Sequence, residues 1–302
     1  MAVGDISNVD SSVMSGCSYV DTGMYDVSDY GAVYLLHDTR PTLIETGIGT
    51  NHEVILDLIT ASGLTLDDIE FICPTHVHLD HAGGAGFLAE ACPNATILVH
   101  TRGVRHLVDP TRLVEGTKAA VGDQWRYYTE PLPVDKSRID GLADGDTIDL
   151  GEHSLEAVEV PGHARHQHAF YVPEADAVFT ADAAGLYVPH TQEIHPTSPP
   201  PEFDLEQCLR DIDRLQSLDV KAMFYTHFGV STDPEMLERY RHVLTEWVDT
   251  VREALRSSPD TESAVETVVE AHAPVDEWGV TKARAETAMN VRGVIGYLQG
   301  RT

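Results

Sequence analysis

Short apolar runs separated by turn residues mark the first half of the chain. Ala32 to Leu36 and Thr42 to Glu45 read as strands, His52 to Ala61 as a helix, and the run Ile69 to Cys73 as a further strand, since a brief apolar run bounded by turn signals suits a strand buried on both faces. A helix over Gly83 to Ala91 and a strand over Thr96 to His100 continue the alternation, while Thr101 to Ile139 reads as helical and irregular. Ser154 to Val160, His168 to Val172 and Ala177 to Thr180 predict a second sheet of short strands. The Pro-rich stretch His195 to Pro201 breaks all periodicity.

Beyond it the pattern predicts a helix over Asp204 to Gln216, a strand over Ala222 to Thr226, and a long helix opened by Asp233-Pro234, where proline suits the first helical position. Leu237, Tyr240, Leu244, Trp247, Val248, Val251 and Leu255 mark the buried stripe of that helix. A helical pair, Glu262 to His272 and Thr281 to Gln299, follows. The expected organisation is an α/β domain over residues 1–232 with a helical C-terminal region, 233–302, packed on its core.

The 302 residues carry 20 Lys and Arg against 49 Asp and Glu, a formal charge of −29. Nucleic-acid affinity comes largely from Lys and Arg neutralising phosphates, so this surface argues against a polyanionic partner. No apolar run approaches a membrane span, and MAVGDISNVD has neither the basic start nor the apolar core of a signal peptide. The expectation is a cytoplasmic protein with no membrane or nucleic-acid partner, able to form a homodimer. Only four of the basic residues are Lys, and an acidic, Lys-poor surface suggests a halophilic source, because molar salt screens self-repulsion. The cysteines Cys17, Cys73, Cys92 and Cys208 stand far apart and read as small buried residues rather than a zinc knuckle or disulfide framework.

Candidate chemistry gathers after the strand at Cys73, in Pro74-Thr75-His76-Val77-His78-Leu79-Asp80-His81-Ala82-Gly83-Gly84. In an extended loop His76 and His78 project to one side and can share a metal. Asp80 and His81 fall where the chain turns into a helix, point differently, and can serve a second metal; Gly83 and Gly84 allow the tight turn. His163, Asp182 and His227 each end a predicted strand, the usual place for a sheet to present its chemistry.

This ordered set, H-x-H-x-D-H, then P-G-H, A-D and T-H-F-G, resembles the metallo-β-lactamase superfamily over about Val33 to Gly229. The resemblance implies a four-layer αββα sandwich, with two mixed sheets face to face and a two-metal site at one edge. It implies that His76, His78 and His163 bind the first metal, that Asp80, His81 and His227 bind the second, and that Asp182 bridges them. The ligand set suits two Zn²⁺, with Fe or Mn also compatible. It further implies a metal-bridging hydroxide that attacks a carbonyl, nucleophilic near neutral pH because a bound metal lowers the pKa of water. Asp80 is expected to help orient it, so Asp80 and Asp182 are the expected catalytic carboxylates.

Within the superfamily the chain most resembles glyoxalase II-like thioesterases, which implies a small-molecule thioester substrate; a lactonase or esterase acting on a lactone is the alternative, and a mononuclear iron persulfide dioxygenase a further one. His78 argues against a flavodiiron-type reductase, which would carry Glu there. Gln167 replaces the second His of the common P-G-H-T-x-G-H. Four further residues are expected around the metals or substrate: Glu45 bonding a ligand His or the loop backbone, His168 bonding a ligand, Arg165 anchoring a carboxylate, and Tyr187, or else a roof tyrosine, steadying a lactone carbonyl. Two loops, one with Trp125, Tyr127 and Tyr128 and one from Gly185 through Tyr187, His190 and His195 to the Pro-rich turn, are expected to roof the site.

Overall fold

The computed structural model describes residues 1–300. Seven strands form the first sheet: β1 (Ile6–Asn8), β2 (Cys17–Asp21), β3 (Ala32–Leu36), β4 (Thr42–Ile44), β5 (Phe71–Cys73), β6 (Thr96–His100) and β7 (Ile139–Leu142), side by side in chain order. β1 to β4 pair antiparallel and β4 to β7 pair parallel. Helices α1 (Glu53–Ala61), α2 (Leu79–Ala82), α3 (Ala85–Ala91), α4 (Val104–Val108) and α5 (Thr111–Val121) fall between its later strands. The second sheet is built from β8 (Thr147–Asp149), β9 (Ser154–Glu159), β10 (His168–Val172) and β11 (Ala177–Phe179). A small hairpin, β12 (Leu186–Val188) with β13 (Glu193–His195), precedes α6 (Leu205–Gln216), and β14 (Ala222–Tyr225) with β15 (Gly229–Ser231) completes that second sheet. The chain closes with α7 (Met236–Ser257), α8 (Thr261–His272) and α9 (Val275–Leu298), the last interrupted at Gly279.

Alternation of side chains along each strand explains the layering. In β3, Ala32, Tyr34 and Leu36 face the other sheet, while Val33 and Leu35 face α1 and α3. In β14, Ala222 and Phe224 face inward, and Met223 and Tyr225 face the helices outside. Tyr34, Phe170, Phe179 and Phe224 fill the space between the sheets, Ile55, Leu58 and Leu88 cover the first sheet, and Ile212, Leu244 and Val248 cover the second. The result is the expected four-layer sandwich. The long-helix stripe is buried as predicted from Leu237 to Val251, with Leu255 only partly covered, and α8 and α9 share its apolar cluster through Val265, Val268, Val291 and Ile295. All four cysteines are free and buried.

Register places the chemistry. β4 and β5 run parallel with Ile44 beside Cys73, so Glu45 and the histidine loop leave the sheet together. β11 and β14 run parallel with Phe179 beside Phe224, so Asp182 and His227, each three residues further on, emerge next to one another. The two glycines after His81 need correcting: Gly83 and Gly84 have ordinary right-handed φ values of −62° and −83°. They are required for space, since a Cβ on Gly84 would lie 2.1 Å from the Thr46 carbonyl oxygen.

Gly162, before His163, is constrained in the same way: a Cβ there would sit 2.4 Å from the backbone nitrogen of Cys208 on α6. Gly162→Ala is expected to push α6 away and to destabilise the fold by about 1–3 kcal/mol, the usual cost of overpacking. Thermal unfolding measures it, and an unchanged melting temperature would show that α6 gives way freely.

Candidate metal centre

Seven side chains converge where β5, β9, β11 and β14 end. His76 Nε2 and His163 Nε2 lie 3.0 and 3.1 Å from His78 Nδ1. Asp182 stands between two groups: its Oδ2 is 3.2 Å from His163 Nε2, whereas its Oδ1 is 3.4 Å from His81 Nε2 and 3.6 Å from His227 Nε2. Asp80 Oδ2 faces the same two imidazoles at 4.0 and 3.9 Å. His76, His78 and His163 thus form one cluster able to hold a metal ion and Asp80, His81 and His227 another.

The outward ring nitrogens set the tautomers. His81 Nδ1 donates to Glu45 Oε1 at 3.2 Å, His227 Nδ1 to the Tyr30 carbonyl at 3.2 Å, and His163 Nδ1 to Thr197 Oγ1 at 3.1 Å. His76 Nδ1 lies 3.2 Å from Thr75 Oγ1, whose own hydroxyl proton goes to Glu45. Each bond holds the proton on the outer nitrogen and turns the inner lone pair into the site, the arrangement by which outer partners prepare a ligand imidazole.

The short contacts of the first cluster both run through His78 Nδ1, which can donate to only one of His76 and His163, so at least one inner lone pair meets no proton. Burial, with the neighbouring imidazoles, holds His76 well below the ordinary histidine value, and burial takes His163 down to about 3. Burial alone would raise Asp182, yet His81, His163 and His227 hold it well below the carboxylate range. His81 is buried too, but Asp182, Glu45 and Asp80 push it well up. His81 Nε2 and Asp182 Oδ1 are fully buried with no hydrogen-bond partner among the described residues. Orphaned buried polar atoms are rare, and here both are aimed at one point from which a metal ion would satisfy them.

Glu45 lies where the sequence suggests. Its carboxylate is 1% exposed and accepts from Thr75, His81 and Thr226. Three other expectations are corrected. His168 reaches no site residue through its ring: its register beside Glu159 turns it onto His100, 4.6 Å away, and both its ring nitrogens lack partners. Arg165 is solvent-exposed and beside Glu202. The Tyr187 ring stacks on Tyr225 in the outer core, and only its backbone N–H touches the site, donating to the His227 carbonyl. Gln167, in the place of a second His, ties its own turn by donating to the Val160 carbonyl.

A cavity of about 320 Å³ opens over the cluster. Of the expected roof, Tyr128, Leu186 and Pro199 line it, while Trp125 stacks behind Tyr128 and Tyr127 packs on Tyr25. The sequence did not reveal Tyr25, whose hydroxyl lies 2.6 Å from that of Tyr128 and donates to Asp80 Oδ2 at 3.4 Å. Burial, and then Asp80, push both phenols well above the ordinary tyrosine value, so they remain protonated donors. A buried polar stripe on α9 was also missed. Lys282 Nζ sits 3.4 Å from the centre of the Tyr25 ring and bonds Glu286, Glu286 accepts from Asn290, and Asn290 accepts from Ser198 next to Thr197. Among the described residues, no helix is long and apolar enough to cross a membrane.

Two sheets face to face, helices outside, and a His/Asp cluster at their shared edge define a metal-dependent hydrolase fold. The sequence pattern of the Metallo-beta-lactamase superfamily matches residues 28–227, and the chain belongs to that family, whose members are generally hydrolytic enzymes with metal sites. It is 25% identical over 235 residues to a metallo-beta-lactamase fold-containing protein of Sulfurisphaera tokodaii, spanning 76% of this chain and 85% of that one. It is also 25% identical to a hydroxyacylglutathione hydrolase of Synechococcus, over 70% of this chain and 73% of the relative. An archaeal superfamily crystal structure from Sulfolobus tokodaii superposes with a TM-score of 0.71 at 22% identity, covering 94% of this chain and 98% of that one.

Glu45→Ala removes the acceptor that orients His81, and its expected effect is a loss of roughly 10–100-fold in metal affinity, the usual scale for such outer partners. Competition with a chelator reads it, and wild-type affinity would reject the orienting role. Lys282→Met leaves the Glu286 carboxylate buried and unpaired and is expected to cost about 3–5 kcal/mol, with much of that recovered in Lys282→Met/Glu286→Leu. Equal losses in the single and double variants, by denaturant unfolding, would count against the ion pair.

Proposed function

We propose that the chain is a binuclear metallohydrolase that cleaves a thioester of a small acyl group, with zinc as its preferred metal. The observation that carries this reading is the Asp182 carboxylate, with one oxygen toward the cluster of His76, His78 and His163 and the other toward His81 and His227. His76 Nε2, His78 Nδ1 and His163 Nε2 would hold one ion, Asp80, His81 and His227 the other, and Asp182 both. Imidazole and carboxylate without thiolate suit zinc. When bound, such ions polarise a carbonyl and supply a water-derived nucleophile at neutral pH.

The protein's own groups then divide the work. Asp80, held below its usual pKa by His81 and His227 against the effect of burial, stays ionised and accepts hydrogen bonds at the floor of the cavity. Tyr25 donates to Asp80 and Tyr128 in turn donates to Tyr25, so the Tyr128 hydroxyl presents its oxygen as an acceptor to a substrate donor. The apolar side chains around the mouth exclude bulk water, which strengthens each of these interactions. Thioester hydrolysis is favoured by the hydroxyacylglutathione hydrolase among the relatives. Of the tyrosines named for a lactonase, the Tyr187 ring lies in the outer core while the roof Tyr128 lines the cavity, so lactone hydrolysis stays the alternative.

Elemental analysis of protein purified in molar salt without added metal, with thioesters and lactones assayed in parallel, tests the proposal. About two zinc ions per chain, thioester turnover, and loss of metal and activity in Asp182→Ala are the expected results. One iron per chain with oxygen uptake and no hydrolysis would replace it with the dioxygenase, and turnover of lactones alone would select the lactonase.

A further inference from the structure

The mouth of the cavity holds an imbalance of charge that the metal cluster does not explain. Four carboxylates line the cavity, and each has a partner: Asp80 and Asp182 face imidazoles, Glu202 accepts from the Arg165 backbone N–H, and Glu286 pairs with Lys282. Arg105 of α4 and Arg112 of α5 line the same cavity, yet neither makes an ion pair with any described residue. Eight of the fifteen described arginines make no ion pair, and Arg105 and Arg112, both exposed, are the two of these that line the cavity.

Arg105 is held from one side. Its Nε donates to His106 Nε2 at 3.1 Å, an acceptor that must be neutral. Burial pushes His106 down, and Arg105 and then Arg112 add to the push. The Nη groups of Arg105 and all of the Arg112 guanidinium have no acceptor among the described residues. The lining of the same cavity includes the apolar side chains of Leu113 and Ala120 on α5 and of Pro199, Pro200 and Met289. Two cations, apolar side chains and an electrophile-activating cluster lining one cavity suit a substrate with matching parts.

We infer that Arg105 and Arg112 form an anion subsite, and that the substrate carries a carboxylate or phosphate group separated from its scissile carbonyl by an apolar stretch. Guanidinium groups suit either anion, through two parallel hydrogen bonds. The inference rests on the thioester reading above and narrows it. It also gives an acidic protein a local means of binding an anionic substrate that its overall field repels.

The test compares matched thioesters with the wild type, Arg105→Gln, Arg112→Gln, the double variant, and Arg256→Gln as an exposed control distant from the cavity. One acyl group is presented on N-acetylcysteamine, glutathione and coenzyme A, so that the thiol carries no charge, carboxylate or phosphate. Butyryl and succinyl N-acetylcysteamine place a charge on the acyl side instead. The expected result is a preference in kcat/KM for the charged member of at least one pair, reduced roughly tenfold by each single substitution, the scale of one charge-assisted hydrogen bond. Arg256→Gln is expected to keep that preference, and the pair that shows it identifies where the anion sits. Hydrolysis with no preference in any pair, or a preference the double variant retains, overturns the subsite and leaves the thioester reading standing. Failure to hydrolyse any of the thioesters overturns both.

Discussion

A single buried carboxylate holds the active edge together. Glu45 is removed from water at a cost of several kcal/mol for an isolated ion, and it is stable only because hydrogen-bond donors surround it. Those donors come from different parts of the fold: Thr75 at the end of β5, His81 in α2, and Thr226 at the end of β14. Glu45 therefore ties the first sheet to the second at the point where both deliver ligands. Its own backbone adopts a left-handed φ of 74°, a strained conformation for a side chain other than glycine, and this turns the chain from β4 under the histidine loop. The Tyr34 hydroxyl, 2.6 Å from the Tyr225 carbonyl and 2.8 Å from that of Gly229, makes a second tie between the sheets beside His227.

The same geometry explains why the cluster is primed rather than relaxed. His78 Nδ1 lies within about 3 Å of two ring nitrogens and can donate to only one of them, and the outer contacts of His76 and His163 keep those rings from turning away. Thr197 shows how fully these roles are shared: its hydroxyl oxygen accepts from His163 and its proton faces Asp182 Oδ2. Its neighbour Ser198 is fixed by Asn290 on α9 and by Trp247 on α7. The C-terminal helices are thus connected to the ligands by hydrogen bonds as well as by apolar packing. Strain of this kind is stable only when the surrounding fold over-determines the strained groups.

Much of the sandwich was legible because its central strands are continuous apolar runs. The metal cluster was legible because His76, His78, Asp80 and His81 crowd directly behind a buried strand, where imidazoles and a carboxylate are stable only with a shared partner such as a cation. The N-terminal pair was not legible: Cys17–Asp21 alternates weakly, and its pairing with Ile6–Asn8 spans a polar turn. Short strands such as Thr147–Asp149 and Gly229–Ser231 are set by their partners rather than by their own pattern. His168 was misread because its position near His163 in sequence says nothing about cross-strand register, which places it beside Glu159. Lys282, Glu286 and Asn290 recur every four residues, and their polar side chains give no sequence signal of burial. They are buried because that face lies over the active edge, a tertiary fact that helical periodicity does not contain.

Residues 28–227, the segment matched by the family pattern, carry every member of the metal cluster. Tyr25 precedes that segment, and Glu286 and Met289, which line the cavity, follow it. The shared segment therefore accounts for the chemistry, and part of what a substrate would touch is contributed by residues outside it. Fold and metal cluster together define a reaction class, whereas the substrate must be read from the wall and mouth of the cavity. The lining includes apolar side chains of α5, the Tyr25 and Tyr128 phenols beside Asp80, and the guanidinium groups of Arg105 and Arg112. The residues that would select a substrate lie in the segment that ends at Tyr25, in α4 and α5, and on α9.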